Sequence, residues 1–224
     1  MRMGKGEVTR QAILERATAL ASRCGLEGVS IGHLAEDLGL SKSGLFAHFG
    51  AKETLQVEIL RFAADRFVQA VVRPALAEPR GVPRVRAIFE RWLGWSRSHS
   101  VPGGCLFVAA ASELDDRPGP ARDELVRLQK EWMDGIAICF RSGISEGHFR
   151  ADADPEQFAH DLYSVMLGYH HAQRLLRDPA ADSRARASME ALLAAARRRG
   201  PSRVAPAQRR SAAARSTARQ RRSA

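Results

Sequence analysis

Along most of the chain, apolar residues recur at the three- and four-residue intervals of a single helix face. Ile13, Ala17, Leu20 and Cys24 follow this spacing in a first helix expected to start near Thr9, and Gly25 supplies its stop. Ile31, Leu34, Ala35 and Leu38 predict a second, short helix after Ser30, a residue type suited to N-capping, with Gly39 ending it. Ser41 is placed to cap a third helix that runs to about His48. The two short helices therefore meet across Gly39-Leu40-Ser41, a tight turn that a glycine in the left-handed region permits.

After Gly50, the face Leu55, Ile59, Phe62, Ala63, Phe67, Ala70 predicts a long helix reaching about Glu78. Pro79 and Pro83 bracket a loop, and another helix is expected from about Arg84 to Ser98. Pro102-Gly103-Gly104 breaks the chain before a short apolar helix, about Cys105 to Leu114. Leu125, Leu128, Trp132, Ile136, Cys139 and Phe140 mark a long amphipathic helix. Asp154-Pro155 opens the next, with Pro suited to a first helical turn, and a last helix carries Met189, Leu192, Leu193 and Ala196. No Val-Ile-Thr alternation suggests a strand. The expected fold is all-α with about nine helices.

A chain of 224 residues, 45% of them apolar, can bury a sizeable core. Its longest apolar run, Cys105 to Ala111, is far short of the roughly 20 residues of a membrane span, and the polar N-terminus lacks an apolar signal core. A cytoplasmic protein without membrane partners is expected. The three cysteines, Cys24, Cys105 and Cys139, are widely spaced and odd in number, which reads as reduced thiols rather than a disulfide or zinc framework. No metal and no cofactor is expected. The net charge of +10 changes meaning once located: residues 197–224 hold ten arginines and no acidic residue, so residues 1–196 are formally neutral. Any DNA-binding role of the folded part must rest on local arrangement.

The informative segment is Ser30 to Leu55. Leu34, Ala35, Leu38, Leu45 and Phe49 are expected to lock the second and third helices against the first. Lys42, Ser43, Gly44, Phe46, Ala47 and His48 remain as the outward face of the third. Mostly short side chains let a helix approach the floor of the major groove, and helix N-termini offer free N–H groups to phosphates. The stretch resembles the DNA-binding domain of the TetR/AcrR family of repressors. The similarity runs from Thr9-Arg10-Gln11-Ala12-Ile13-Leu14 through Gly28-Val29-Ser30 and Leu38-Gly39-Leu40-Ser41-Lys42 to Leu45-Phe46-Ala47-His48-Phe49-Gly50-Ala51-Lys52-Glu53-Thr54-Leu55. It covers about residues 8–60. The resemblance implies phosphate contacts from Ser30, Ser41, Lys42 and Lys52, with Ser43, Gly44 and Ala47 near base edges. Two positions depart from the pattern. Phe46 stands where a phosphate-binding Tyr is common. Ala51 stands where a Ser often caps the fourth helix, which leaves Gly50 as the expected cap.

The resemblance further implies a ligand-responsive regulator, most simply a repressor, that is released from a palindromic double-stranded DNA operator by a small-molecule effector. The division would be a DNA-binding domain at 1–50, a ligand-binding and dimerisation domain at 51–199, and a disordered arginine-rich tail at 200–224. A homodimer through residues 155–198 would set two reading helices one DNA turn apart, roughly 34–36 Å. A cavity between the long helices would draw on Phe62, Trp92, Trp95, His99, Cys105, Phe107, Trp132, Met166, Tyr169 and His170, though aromatics at helical spacing are also what ordinary cores contain. Cys105 has two readings: a sensor thiol activated at a helix N-terminus, or a small apolar core residue. The tail has three: added affinity for phosphates, attraction to anionic lipid without insertion, or a merely solvated segment. An enzyme finds no support, for there is no Gly-rich phosphate loop, H-E-x-x-H or nucleophile elbow. An architectural nucleic-acid binder led by the tail would differ from a repressor in lacking sequence preference. An activator would look the same in sequence.

Overall fold

The computed structural model describes residues 5–197. Among these there are nine helices and no strand; an isolated β-bridge joins Phe149 to Arg197. The helices are α1 (Lys5–Cys24), α2 (Ile31–Asp37), α3 (Lys42–Phe49), α4, α5 (Val82–Ser96), α6 (Leu106–Leu114), α7 (Pro120–Ser145), α8 (Pro155–Arg174) and α9 (Ala181–Ala196). Helix α4 is one rod in three parts: an α-helical Lys52–Phe67, a π-helical turn Val68–Val72, and an α-helical Arg73–Ala77. The first helix begins four residues earlier than the apolar spacing predicts.

The termini follow from local chemistry. The Ser30 hydroxyl accepts the His33 N–H at 3.0 Å, and the Ser41 hydroxyl accepts that of Gly44 at 3.0 Å. Each satisfies one of the donors that a helix start leaves free, worth about 1 kcal/mol. Gly39 takes φ +63° in the turn between α2 and α3. Asp154 caps α8 by accepting from Glu156 and Gln157. The expected capping by Gly50 does not occur. Gly50 ends α3 at φ +71°, and Ala51 holds the cap position of α4 without a side-chain bond.

Ile13, Ala17, Leu34, Leu45 and Ile59 are fully buried where α1 to α4 meet, so the start of α4 belongs to the core of the N-terminal helices. In the larger half, Phe140 stacks between Phe149 and Phe158 with centroids 4.3 and 4.1 Å away, pinning the α7–α8 connection. Three polar junctions tie the two halves together. The Glu113 carboxylate, near the end of α6, accepts the N–H groups of Leu26 (2.7 Å) and Glu27 (2.8 Å) in the α1–α2 loop. The Gly103 N–H donates to the Ser22 hydroxyl of α1 at 3.0 Å, with the backbones in close contact. The third is a string of charges: Glu131–Arg127–Glu124–Arg61–Glu58–Arg10, where Arg10 lies 5.5 Å from the Phe49 ring centroid at the end of α3. Glu124 is its buried node and accepts from Arg127 at 2.7 and 3.2 Å and from Arg61 at 3.1 Å. These donors hold its carboxyl down at about 2.

Candidate nucleic-acid interface and cavity

Leu45 and Phe49 turn inward from α3, leaving Lys42, Ser43, Gly44, Phe46 and Ala47 exposed on its outer face. Phe46 is 51% exposed, a large apolar group offered to solvent. His48 is half-buried beside Phe49. Ser30 and Ser41 use their oxygens as caps; Ser30 still has a hydroxyl proton to donate to a phosphate, and the Ser41 and Ser43 hydroxyls, 3.2 Å apart, share one hydrogen bond and keep one proton free between them. Lys42 lies over Gly32, so its ammonium stands in a shallow depression between α2 and α3 with Ser30 and His33. Lys52 is differently placed. Its ammonium donates to the Glu27 carboxylate at 2.8 Å and to the Glu27 carbonyl at 3.1 Å. That pairing, with a hydrogen bond from Gln56, draws the Glu27 carboxyl below its ordinary range. Lys52 can reach a phosphate only by sharing or leaving Glu27.

Between α4, α5, α6, α7 and α8 lies a cavity of about 340 Å³, inside the usual range for small-molecule sites. Four of the residues singled out from the sequence line it: Trp92, Cys105, Phe107 and Trp132. Six do not, each for a definable reason. Phe62 is half-buried on α4 under the Arg66 guanidinium. Trp95 is buried behind the wall, edge-on to Phe67 at 5.7 Å. His99 is exposed, because α5 ends at Ser96 rather than Ser98. Met166 is fully buried elsewhere in the core, and Tyr169 packs on Trp92 at 6.0 Å without lining the cavity. His170 sits against Gly104 and Arg174, where burial and the Arg174 charge lower its pKa.

The spacing argument missed the other walls. Ala64, Val68, Val72 and Leu76 all line the cavity from α4. A four-residue spacing drifts about 40° per step around an α-helix, and the wider π turn takes up part of that drift. From α7 and α8 come Gln129, Ile138, Cys139 and Tyr163. Gln129 carried a usable signal: it is a polar residue on the apolar stripe of Leu125, Leu128 and Trp132. Tyr163 donates to its Oε1 at 2.7 Å, and its Nε2 donates to the Phe107 carbonyl at 3.2 Å. Cys105 does stand at the start of α6, in the cap position without a side-chain bond, but it is 2% exposed. Burial outweighs the neighbouring N–H groups and pushes its thiol up to about 11, which removes the activation a sensor thiol needs.

An outward-facing third helix after a capped glycine turn, joined to a helical domain with an internal apolar cavity, defines a helix-turn-helix DNA-binding regulator with a built-in small-molecule chamber. Comparison with known proteins agrees. Residues 13–59 match the family model for bacterial regulatory proteins of the tetR family, and residues 81–189 match that for the tetracyclin repressor-like C-terminal domain. The HTH-type transcriptional repressor DhaR of Mycobacterium sp. (strain GP1) is 26% identical over 161 residues, 71% of this chain and 79% of that protein. A TetR transcriptional regulator from Chloroflexus aurantiacus superposes with a TM-score of 0.76 at 24% identity, covering 86% of this chain and 96% of that one. AibR, solved in complex with isovaleryl coenzyme A and operator DNA, superposes with a TM-score of 0.61 at 25% identity, over 78% of this chain and 95% of its own. The chain belongs to the TetR family: it is a ligand-responsive DNA-binding transcriptional regulator and not an enzyme. Among the described residues no helix is long and apolar enough to cross a membrane.

Proposed function

We propose that the chain acts in the cytoplasm as a homodimeric repressor that binds a palindromic operator and is released by a small molecule held in the cavity. Residues 1–50 form the reading head and residues 51–199 the sensing and dimerising half; the tail at 200–224 lies outside the described residues. One observation carries the reading. Helix α6 lines the cavity at its start, through Cys105, Phe107 and Val108, and through Glu113 holds the loop that leads into α2. A ligand that prefers one position of α6 therefore acts on the reading head through two charge-assisted hydrogen bonds, each worth about 1.5–3 kcal/mol. The charge string from Glu131 to Arg10 is a second continuous path between the same two places.

Exposed groups on the last two helices support the dimer. Met189 and Leu193 are buried within the chain, as are Phe158, Leu162 and Met166. Outward instead face Leu167 and Gly168 on α8, Ala187, Ala191 and Ala194 on α9, and Leu175 and Leu176 just after α8. A face of small residues edged by leucines suits close helix packing against a second copy.

Lys42, with the hydroxyls of Ser30, Ser41 and Ser43, supplies phosphate and base-edge contacts. Gly44 and Ala47 allow close approach, and Phe46 offers an apolar surface of the kind that meets a thymine methyl. The test is selection of bound DNA from a random pool at near-physiological salt, with the full chain and a 1–198 truncation. Both should enrich one palindrome. Enrichment of nothing by the truncation, with indiscriminate salt-sensitive binding by the full chain, would refute the reading.

A further inference from the structure

The cavity wall narrows the chemistry of its occupant. Among the lining residues Glu131 alone carries a formal charge, and its carboxylate is already paired with Arg127. Among the described residues no Lys, Arg or His lines the cavity to receive an anion. An ammonium would have to displace Arg127 at the rim. The remaining titratable groups stay neutral in ordinary conditions: burial pushes the Cys105 thiol up to about 11 and the Tyr163 phenol up to about 12. An anion would give up its hydration and find no counter-charge, and a cation would find only a carboxylate that Arg127 already neutralises.

Part of the polar capacity left over is donating. Gln129 is fixed in orientation, since its oxygen accepts from Tyr163 and one amide hydrogen goes to the Phe107 carbonyl. The second amide hydrogen is unused. The indole N–H of Trp132, another wall residue, also lacks an acceptor among the described residues but is sealed behind the cavity surface. The spare Gln129 hydrogen, unpaired in an apolar wall, costs free energy that a ligand acceptor would recover. The rest of the surface is aromatic or aliphatic, with Phe67 set edge-on to Phe107 and Trp132 at 5.9 and 4.8 Å.

Resting on the reading of this cavity as the effector site, we infer that the effector is an uncharged, mainly aromatic or alicyclic molecule carrying a carbonyl-type oxygen, which Gln129 receives as donor. The test uses four probes sharing one ring system: 2-acetonaphthone, 2-naphthoate, 2-naphthylmethylammonium and naphthalene. Binding to the full chain is measured by calorimetry and by the shift of thermal unfolding. The ketone should bind at least tenfold more tightly than either ion and more tightly than naphthalene. Gln129→Leu should lower ketone affinity several-fold more than it changes naphthalene affinity, a difference that loss of folding would not give. A charged probe binding as tightly as the ketone, or no binding by any of the four, overturns the inference. Release of the selected operator is followed separately. Ketone binding without release upholds this ligand class and refutes the cavity as the effector site, whereas release by the naphthoate alone upholds the effector site and overturns the class.

Discussion

Replacing Gly103 by alanine tests the junction between the reading head and the rest of the molecule. A Cβ built on Gly103 would lie 1.6 Å from the Ser22 carbonyl oxygen and 2.0 Å from its carbon. Both are backbone atoms in the last turns of α1, so no side-chain rotation relieves the clash. Contacts under 3.0 Å are essentially never seen for a real Cβ, and the loop must therefore withdraw by about 1.4 Å. That withdrawal breaks the buried bond from the Gly103 N–H to the Ser22 hydroxyl. Overpacking costs about 1–3 kcal/mol and the orphaned N–H about 1–3 kcal/mol more. A loss near 3 kcal/mol lowers the melting temperature of a chain this size by about 6–12 °C. Ser22→Ala, which removes the acceptor without the clash, should cost about half as much. Gly94→Ala on the outer side of α5, with nothing within 4 Å, should be neutral or stabilising by up to about 1 kcal/mol. Thermal unfolding followed by circular dichroism reads all three. A Gly103→Ala protein melting within about 2 °C of the parent would show that the two backbones do not meet as closely as described.

Glu124→Gln should cost about 1–2 kcal/mol in urea unfolding at pH 7. That is less than the ~3 kcal/mol implied by a carboxyl held from 4.5 down to about 2, because both arginine partners are about half exposed. Its folded pKa is depressed, so the stability it adds is complete above pH 4.5 and lost as pH falls toward 2; the gap between parent and variant should narrow over that window and no higher. Iodoacetamide at pH 7.5 should label exposed Cys24 in the native protein and spare Cys105 and Cys139; rapid labelling of Cys105 would contradict its burial. Phe46→Tyr should tighten operator binding by restoring a hydroxyl at the DNA face, whereas Lys42→Ala should weaken it across all sequences and reduce the salt slope by about 0.9. Loss of affinity in the tyrosine variant would show that Phe46 makes a base contact the hydroxyl spoils. Truncation at residue 198 should lower the salt slope by about 0.9 for each phosphate the arginines neutralise, and an unchanged slope would leave the tail without a DNA role.

The reading head was legible because its signals are local. Ser30, Gly39 and Ser41 each act within three residues of themselves, through a hydroxyl or a left-handed φ, and the apolar residues between them have only one way to pack. The cavity was legible where bulk and wall coincide, at Trp92, Phe107 and Trp132, and at Cys105, which follows the Gly103-Gly104 break. Tyr169 and Trp95 obey the same periodicity but lie one layer back, a distinction that depends on how α5 and α8 rotate against each other. Val68 and Leu76 were hidden for another reason: nothing in Val-Gln-Ala-Val-Val announces a π turn, and straight α-helical geometry puts them on diverging faces. The pairing of Lys52 with Glu27 joins residues 25 apart whose meeting is decided by tertiary packing.

The π turn in α4 also bears on how the gene could tolerate change. Insertions and deletions usually survive only in surface loops, where the chain can take up slack. Here a π turn, wider than an α turn, interrupts a single helix between Val68 and Val72. Deleting one residue there could restore continuous α-helix and leave Lys52–Phe67, and the reading head attached to it, undisturbed. Because a π turn takes in one extra residue for about the same rotation, the segment Arg73–Ala77 would keep its facing and Leu76 its side on the cavity wall. A one-codon deletion inside a helix would thus leave both the chamber wall and the surface that faces DNA in register.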